Sequence, residues 1–289
     1  MGRATARRRI VRIGATTHGG EGTLVERTVD ERPDTLVVEE PLEIRVGGAP
    51  LSVTMRTPGS DVELAQGFLL TEGVIGGRED IGIARYCNSV DEEGRNTYNV
   101  LDIDLAPGVP APSTDIERNF YTTSSCGVCG KASLDAIRLR TRHSPAGDQL
   151  QTTADVVLSL PDRLREAQRL FSTTGGLHAA GLFSAEGDLL CLREDVGRHN
   201  AVDKLVGWAV ENGEIPLRNR ILMVSGRASF ELVQKAVMAG IPMMCAVSAP
   251  SSLAVDLARE SGMSLAGFVR GETMNIYAHP ERIEPEMEG

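Results

Sequence analysis

The chain has 289 residues, 41% of them hydrophobic and 24% charged, with a formal charge of −10 at pH 7. That is enough for one large or two ordinary domains, and the acidic balance argues against broad non-specific nucleic-acid binding. No apolar run is long enough to span a bilayer, the basic start is not followed by a secretory h-region, and five cysteines in so long a chain suit free thiols in a reducing, cytoplasmic compartment better than a disulfide scaffold.

Arg3, Arg7, Arg8, Arg9 and Arg12 fall within the first twenty residues with no acidic residue among them, so residues 1–25 read as a flexible basic tail. That tail is either an electrostatic arm or simply solvated. Leu42, Ile44 and Val46, then Gly47-Gly48, then Leu51, Val53 and Met55 predict a β-hairpin. Ser60 with Glu63 three residues on has the form of a capping box. It opens a predicted helix with an apolar face of Val62, Ala65, Phe68 and Leu69, and Gly73 suits its C-terminal cap. Strand-like pieces follow at 81–88 and 97–104. Residues 26–115 therefore read as a small α+β domain, with Pro107, Pro110 and Pro112 marking its end.

Residues 116–289 read as a second, α/β domain. Ile221–Val224, Met243–Val247 and Ser264–Val269 are apolar strand candidates. Between them lie helical patterns carrying Leu232, Val233, Ala236 and Val237, then Leu253, Ala254, Leu257 and Ala258, the second capped by Ser251 and closed by Gly262. This β-α-β-α-β order predicts a largely parallel, helix-covered sheet, whose ligands usually sit at the carboxyl ends of the strands.

Five segments offer chemistry. Cys126 and Cys129, in Ser124-Ser125-Cys126-Gly127-Val128-Cys129-Gly130-Lys131, are two glycine-flanked thiols ahead of a helix-like stretch, where a helix N-terminus and Lys131 favour thiolate. Thiol chemistry, zinc and chance remain open for the pair, although one C-x-x-C supplies only two of the usual four zinc ligands. Cys87, Cys191 and Cys245 read as core residues. His178, after Gly175-Gly176, either lines a site or is simply packed. Arg198 and His199, at a helix start after Asp195-Val196-Gly197, suit an anion, with a salt link from Arg198 to Asp195 or Glu194 as the alternative. Ser225-Gly226-Arg227 and Phe268-Val269-Arg270-Gly271-Glu272-Thr273 both follow strands. The first could cradle a phosphate; the second offers an aromatic face, a guanidinium and a carboxylate that can accept from a guanine's N1 and N2, or is a plain turn.

Taken in order, the segments PLEIRVGGAPLSVTMRTPG, ELAQGFLLTEGVI, SSCGVCGKAS, GGLHAAG, EDVGRHNAVDKL, SGRASFELVQKA, SAPSSLAVDLA and GFVRGETMNIY resemble the formate dehydrogenase accessory sulfurtransferase family (FdhD/NarQ) from about Pro41 to Ile283. The resemblance implies a cytidine-deaminase-like three-layer α/β domain with a smaller N-terminal α+β domain, in a homodimer. It also implies a sulfur carrier that takes persulfide sulfur from a cysteine desulfurase. The sulfur passes to the molybdenum cofactor of formate dehydrogenase, bis(molybdopterin guanine dinucleotide), with no permanent metal, nucleic acid or membrane partner. Cys126 matches the family's persulfide cysteine and Cys129 its companion. Phe268, Val269, Arg270, Gly271, Glu272 and Thr273 match the region expected to bind the guanine dinucleotide. Deaminase chemistry itself is not implied. Zinc deaminases place an H-x-E motif before the C-x-x-C, whereas here the cysteines precede His178 and Ala180 stands where the glutamate would.

Overall fold

A computed structural model describes residues 4–18, 24–87, 97–112 and 142–285. Cys126 and Cys129 lie outside the described residues.

The first stretch is paired where a tail was expected. β1 (Thr5–His18) and β2 (Leu24–Val37) form an antiparallel ribbon with fourteen residue pairs, from Thr5 opposite Val37 to His18 opposite Leu24. Valines, isoleucines and threonines on both arms favour extended backbone. One basic side chain has a cross-strand partner, Arg9 with Glu31 at 3.0 Å, so charge does not forbid pairing.

The predicted hairpin is β3 (Glu40–Val46) and β4 (Ala49–Arg56), turning at Gly47 and Gly48, which both take positive φ. With β5 (Ile81–Tyr86) and β6 (Val100–Leu105) it makes a four-stranded sheet in the order β4-β3-β6-β5. The inward face of β4 differs from the expected alternation. A register shift after Ile44 turns Val53 and Met55 outward. Ser52 and Thr54 then lie opposite Ile44 and Leu42 instead, because one extra residue exchanges the two faces of a strand.

α1 (Asp61–Thr71) begins after Ser60 as expected, but the capping box does not form. Ser60 has φ 55 and makes no side-chain cap bond, and Glu63 is drawn away by Arg193, whose Nε and Nη2 donate to it at 2.6 and 2.7 Å. The helix ends as read, with Gly73 at φ 75 just beyond the last turn. α1 is buried nearly all round, including Leu64, Gln66, Gly67 and Leu70, because it lies between the four-stranded sheet and another helix.

The remainder is built on a six-stranded mixed sheet in the order β13-β12-β11-β10-β8-β9. β8 (His178–Phe183) and β9 (Leu189–Asp195) form an antiparallel hairpin. β10 (Ile221–Val224), β11 (Met243–Ala246) and β12 (Ser264–Arg270) are parallel, and β13 (Thr273–Ala278) returns antiparallel. The parallel half matches the β-α-β-α-β reading closely; the antiparallel flanks make the sheet mixed. A two-residue strand, β7 (Thr152–Thr153), pairs with β14 (Ile283–Glu284).

Side chains alternate between two cores. Leu182, Leu222, Val224, Met244 and Leu265 face α1, α4 (Arg198–Glu211), α5 (Phe230–Met238) and α6 (Ser252–Ser261). Phe183, Ile221, Met223, Met243 and Val269 face α2 (Ala154–Ala167), which is followed by the short α3 (Arg169–Thr174). The first core also contains Leu42, Ile44, Leu101 and Ile103 of the four-stranded sheet, so the two sheets share one apolar interior through α1 and α4. Those two helices cross at Gly67 and Gly207, where a Cβ on either would overlap the facing helix's backbone, at Asp203 or Glu63. No helix among the described residues is long and apolar enough to cross a membrane.

Candidate functional site

β10, β11 and β12 end at one edge of the large sheet. The antiparallel pairing brings the start of β8 and the end of β9 to the same edge, with Ala180 opposite Val224 and His178 opposite Asp195. α4, α5 and α6 all begin there, so three helix N-termini converge on one rim. Partial positive charge at such ends favours an anion.

The rim loops are tied to one another. Ala179 N–H donates to Ser225 Oγ at 2.9 Å and Ser225 N–H returns to the Ala179 carbonyl at 3.0 Å. Ser251 N–H reaches the Ala228 carbonyl at 3.1 Å, and Phe268 N–H the Ser248 carbonyl at 3.2 Å. Segments that are 20 or more residues apart in sequence thus become one fixed surface.

Asp195 anchors its floor. It is fully buried and accepts from Lys204 Nζ at 2.7 Å, Gly197 N–H at 2.8 Å, Thr57 N–H at 3.0 Å and Asn200 Nδ2 at 3.0 Å. Asn200 also donates to the Met55 carbonyl at 2.7 Å and accepts from Thr54 at 3.1 Å. Lys204 donates to the Thr57 carbonyl at 2.8 Å. These bonds fasten β4 and the loop after it to the start of α4. Glu194 is occupied elsewhere, accepting from the N–H groups of Leu170 and Phe171 at the start of α3. The two carboxylates weighed as partners for Arg198 are therefore both committed to other donors.

Arg198 and His199 are left facing the rim. Arg198 Nε and His199 Nε2 are shielded from solvent and have no hydrogen-bond partner among the described residues; Glu231 stands 4.0 Å from His199 Nε2. Burial, and then the positive charges of Lys235 and Arg198, push His199 down to about 4, so its imidazole is neutral at pH 7. Burial and Arg198 lower His178 as well. Its Nδ1 lies 3.5 Å from where a Cβ on Gly226 would sit, placing it beside the β10 loop. Burial opposes ionisation of Glu231, but its own backbone N–H, Ser229, His199 and Arg198 outweigh that and hold it below its usual value. Beneath His199, Lys235 meets Asp203 at 2.9 Å and Glu72 at 3.7 Å, and burial raises Asp203 to about 6 despite the lysine. An unpartnered guanidinium nitrogen and a neutral imidazole at converging helix ends fit an anionic ligand with oxygen acceptors.

The Phe268–Thr273 segment is at the same edge, on the turn between β12 and β13. Phe268 takes φ 53 in a β-bulge, and the Arg270 guanidinium lies 5.6 Å from its ring centre. Arg270, Gly271, Glu272 and Thr273 are exposed, whereas Val269 is buried in the core below the sheet and presents only backbone. Arg227 is exposed on the β10 loop. Cys191 and Cys245 are buried, and burial pushes each thiol up to about 12, which suits packing rather than reaction.

Sequence reasoning gave Asp195 only the role of an alternative salt partner and assigned Lys204, Asn200 and Lys235 no role. The available signal was two lysines within apolar helix faces, which require buried counter-charges. Spacing does not say which carboxylate each lysine takes: Lys204 pairs with Asp195, and Lys235 with Asp203, Glu72 and the distant Thr71 hydroxyl.

Residues 37–284 match the profile of the FdhD/NarQ family, a span that starts as the ribbon ends. A protein named sulfur carrier protein FdhD from Mycolicibacterium paratuberculosis is 61% identical over 279 residues, covering 96% of this chain and 98% of that one. One of the same name from Streptomyces coelicolor is 56% identical over 285 residues, covering 98% and 97%. The crystal structure of a candidate formate dehydrogenase accessory protein from Desulfotalea psychrophila, 24% identical, shares the fold with a TM-score of 0.67 over 95% of this chain and 99% of that one. With a profile match over most of its length and relatives this similar, the chain belongs to the FdhD/NarQ family.

Proposed function

We propose that this chain is a sulfur carrier, as its relatives' name says of them, and that it serves formate dehydrogenase maturation. The observation that carries the reading to a site is the rim where Arg198 Nε and His199 Nε2 lack partners among the described residues, beside three helix N-termini. That rim suits the phosphates of a nucleotide-type molybdenum cofactor, bis(molybdopterin guanine dinucleotide), taken as the substrate. Arg198 and Arg227 would hold phosphate oxygens. Phe268 and Arg270 would flank the guanine, and Glu272 would accept from its N1 and N2.

In this reading Cys126 thiolate attacks the outer sulfur of a desulfurase persulfide. The S–S bond breaks, the desulfurase cysteine leaves as thiolate, and Cys126 holds the persulfide. Cys129 thiolate then attacks the inner sulfur of Cys126. A Cys126–Cys129 disulfide forms and hydrosulfide leaves for the bound cofactor, the two thiols having supplied the electrons; an external thiol later reduces the disulfide. The larger unit is read as cytidine-deaminase-like, on the strength of its mixed sheet with helices on both faces.

The test is intact-mass analysis after incubation with a cysteine desulfurase and cysteine. The expected result is a gain of about 32 Da, one sulfur, lost on reduction and absent from Cys126→Ala. No adduct, or an adduct that persists in Cys126→Ala, overturns the assignment.

A further inference from the structure

The β1–β2 ribbon is about 45 Å long at ~3.4 Å per residue. Two-stranded ribbons without a third strand or a covering layer are marginal in water. This one exposes Val11, Ile13 and Val29 at 59%, 67% and 70%. Register places all three on one face: Ile13 is opposite Val29, and Val11, two residues along, is opposite Glu31. The same face carries Arg7 opposite Thr35 on one side of this apolar centre and Arg27 opposite Ala15 on the other.

Charge separates the two faces. On the reverse face Arg8 stands opposite Asp34 and Arg12 opposite Asp30, so carboxylates answer arginines across the strands. On the apolar face the one carboxylate, Glu31, is already taken by Arg9. Arg7 and Arg27 are exposed and have no ion-pair partner among the described residues. What is left unanswered is an apolar centre with a guanidinium at each end, ~27 Å apart along the ribbon. The root of this face lies beside the rim. Val37, opposite Thr5 on the same side, has its Cγ1 3.4 Å from where a Cβ on Gly176 would sit, two residues before His178, and β2 packs on α3.

We infer that this face is a docking site for a second, different protein, which lays on it an amphipathic helix with an apolar stripe at its middle and carboxylates at both ends. A helix covers the apolar face of a sheet, and spanning the two arginines takes about 18 residues at ~1.5 Å each. Its end carboxylates meet Arg7 and Arg27. The acids of β2, among them Asp30, Glu31 and Asp34, repel the dense phosphates of a nucleic acid or an anionic lipid surface, whereas such a helix places its charge only where the ribbon has unpaired cations. The contact is small, so the association is transient. This docking face is independent of the sulfur-carrier reading.

The test is fluorescence anisotropy of the full chain with two labelled helical peptides of about 20 residues that share a leucine stripe across their middle turns. One has glutamates in its first and last turns, the other lysines. The glutamate peptide should bind saturably between micromolar and submillimolar concentration, and the lysine peptide about tenfold or more weakly. The double variant Arg7→Glu/Arg27→Glu should invert that order and prefer the lysine peptide. Circular dichroism of the variant checks that the ribbon remains. No saturable binding of the glutamate peptide, equal binding of the two peptides, or a preference that survives in the double variant would each overturn the proposal. Tighter binding of phosphatidylglycerol vesicles or duplex DNA than of the glutamate peptide, lost in the same variant, would also overturn it by giving the face to that partner.

Discussion

The rim of the large sheet and the β1–β2 ribbon treat charge in opposite ways. At the rim, carboxylates and amines are buried and cross-linked, as in Asp195 with its sequence neighbours Lys204 and Asn200 and with Thr57, 138 residues away. On the ribbon, Arg9 and Glu31 meet at a similar distance, 3.0 Å, with most of both side chains in water. Similar separations therefore carry very different energies. A buried charge without its partner retains its full desolvation cost, while an exposed pair is replaced by water at little loss. The rim can hold Arg198 and His199 in place because its own floor is fully satisfied.

The comparison breaks most sharply at Asp195. Asp195→Ala leaves Lys204 buried and without its counter-ion, and should lower unfolding stability by about 3–5 kcal/mol. Arg8→Ala on the ribbon should change it by less than about 0.5 kcal/mol. Urea unfolding of both measures the difference, and near-equal losses would contradict the contrast. The next effect concerns binding rather than folding. Arg198→Ala should weaken guanosine diphosphate by roughly tenfold, the contribution of one charge-assisted hydrogen bond, while leaving the urea midpoint within error. Isothermal titration calorimetry reads the affinity, and unchanged binding would remove Arg198 from the site.

A third effect is in pH. Folding lowers His199 from 6.5 to about 4, so the folded state favours the neutral ring. Its contribution is present above about 6.5 and is lost as pH falls towards 4. Asp203 acts in the opposite sense, since a carboxyl raised from 3.8 to about 6 loses stability as pH rises through that window. Comparing wild type with His199→Gln separates the two: the variant should lose less stability between pH 6.5 and 4. Parallel curves would show that His199 does not titrate there.

Strands and helices of the parallel half were legible because apolar runs, Ser251 and Gly262 act locally. Ser251 Oγ accepts from Ala254 N–H at 3.2 Å and Gly262 closes the helix at φ 72, both within a few residues of the signal. The Ser60–Glu63 capping box failed because Arg193, 130 residues away, competes for the glutamate. The face of β4 was misread because a single-residue bulge leaves the composition of the strand unchanged while exchanging its two sides. The ribbon was missed because its arginines suggested a solvated tail, and only the folded pairing shows that the two arms match and that Arg9 meets Glu31 across them.

By itself the sequence determined the family, through an ordered set of short segments, and the succession of strands and helices that delivers several loops to one sheet edge. Tertiary structure decided which charges are consumed and which remain. Asp195 and Glu194 could each have paired with Arg198 on sequence grounds. Packing against the four-stranded sheet commits Asp195 to Lys204 and Thr57, and α3 takes Glu194, so Arg198 and His199 face the rim with donor and acceptor capacity unused among the described residues. Spacing along a chain specifies local geometry; which buried charge finds which partner depends on contacts that exist only once the core has closed.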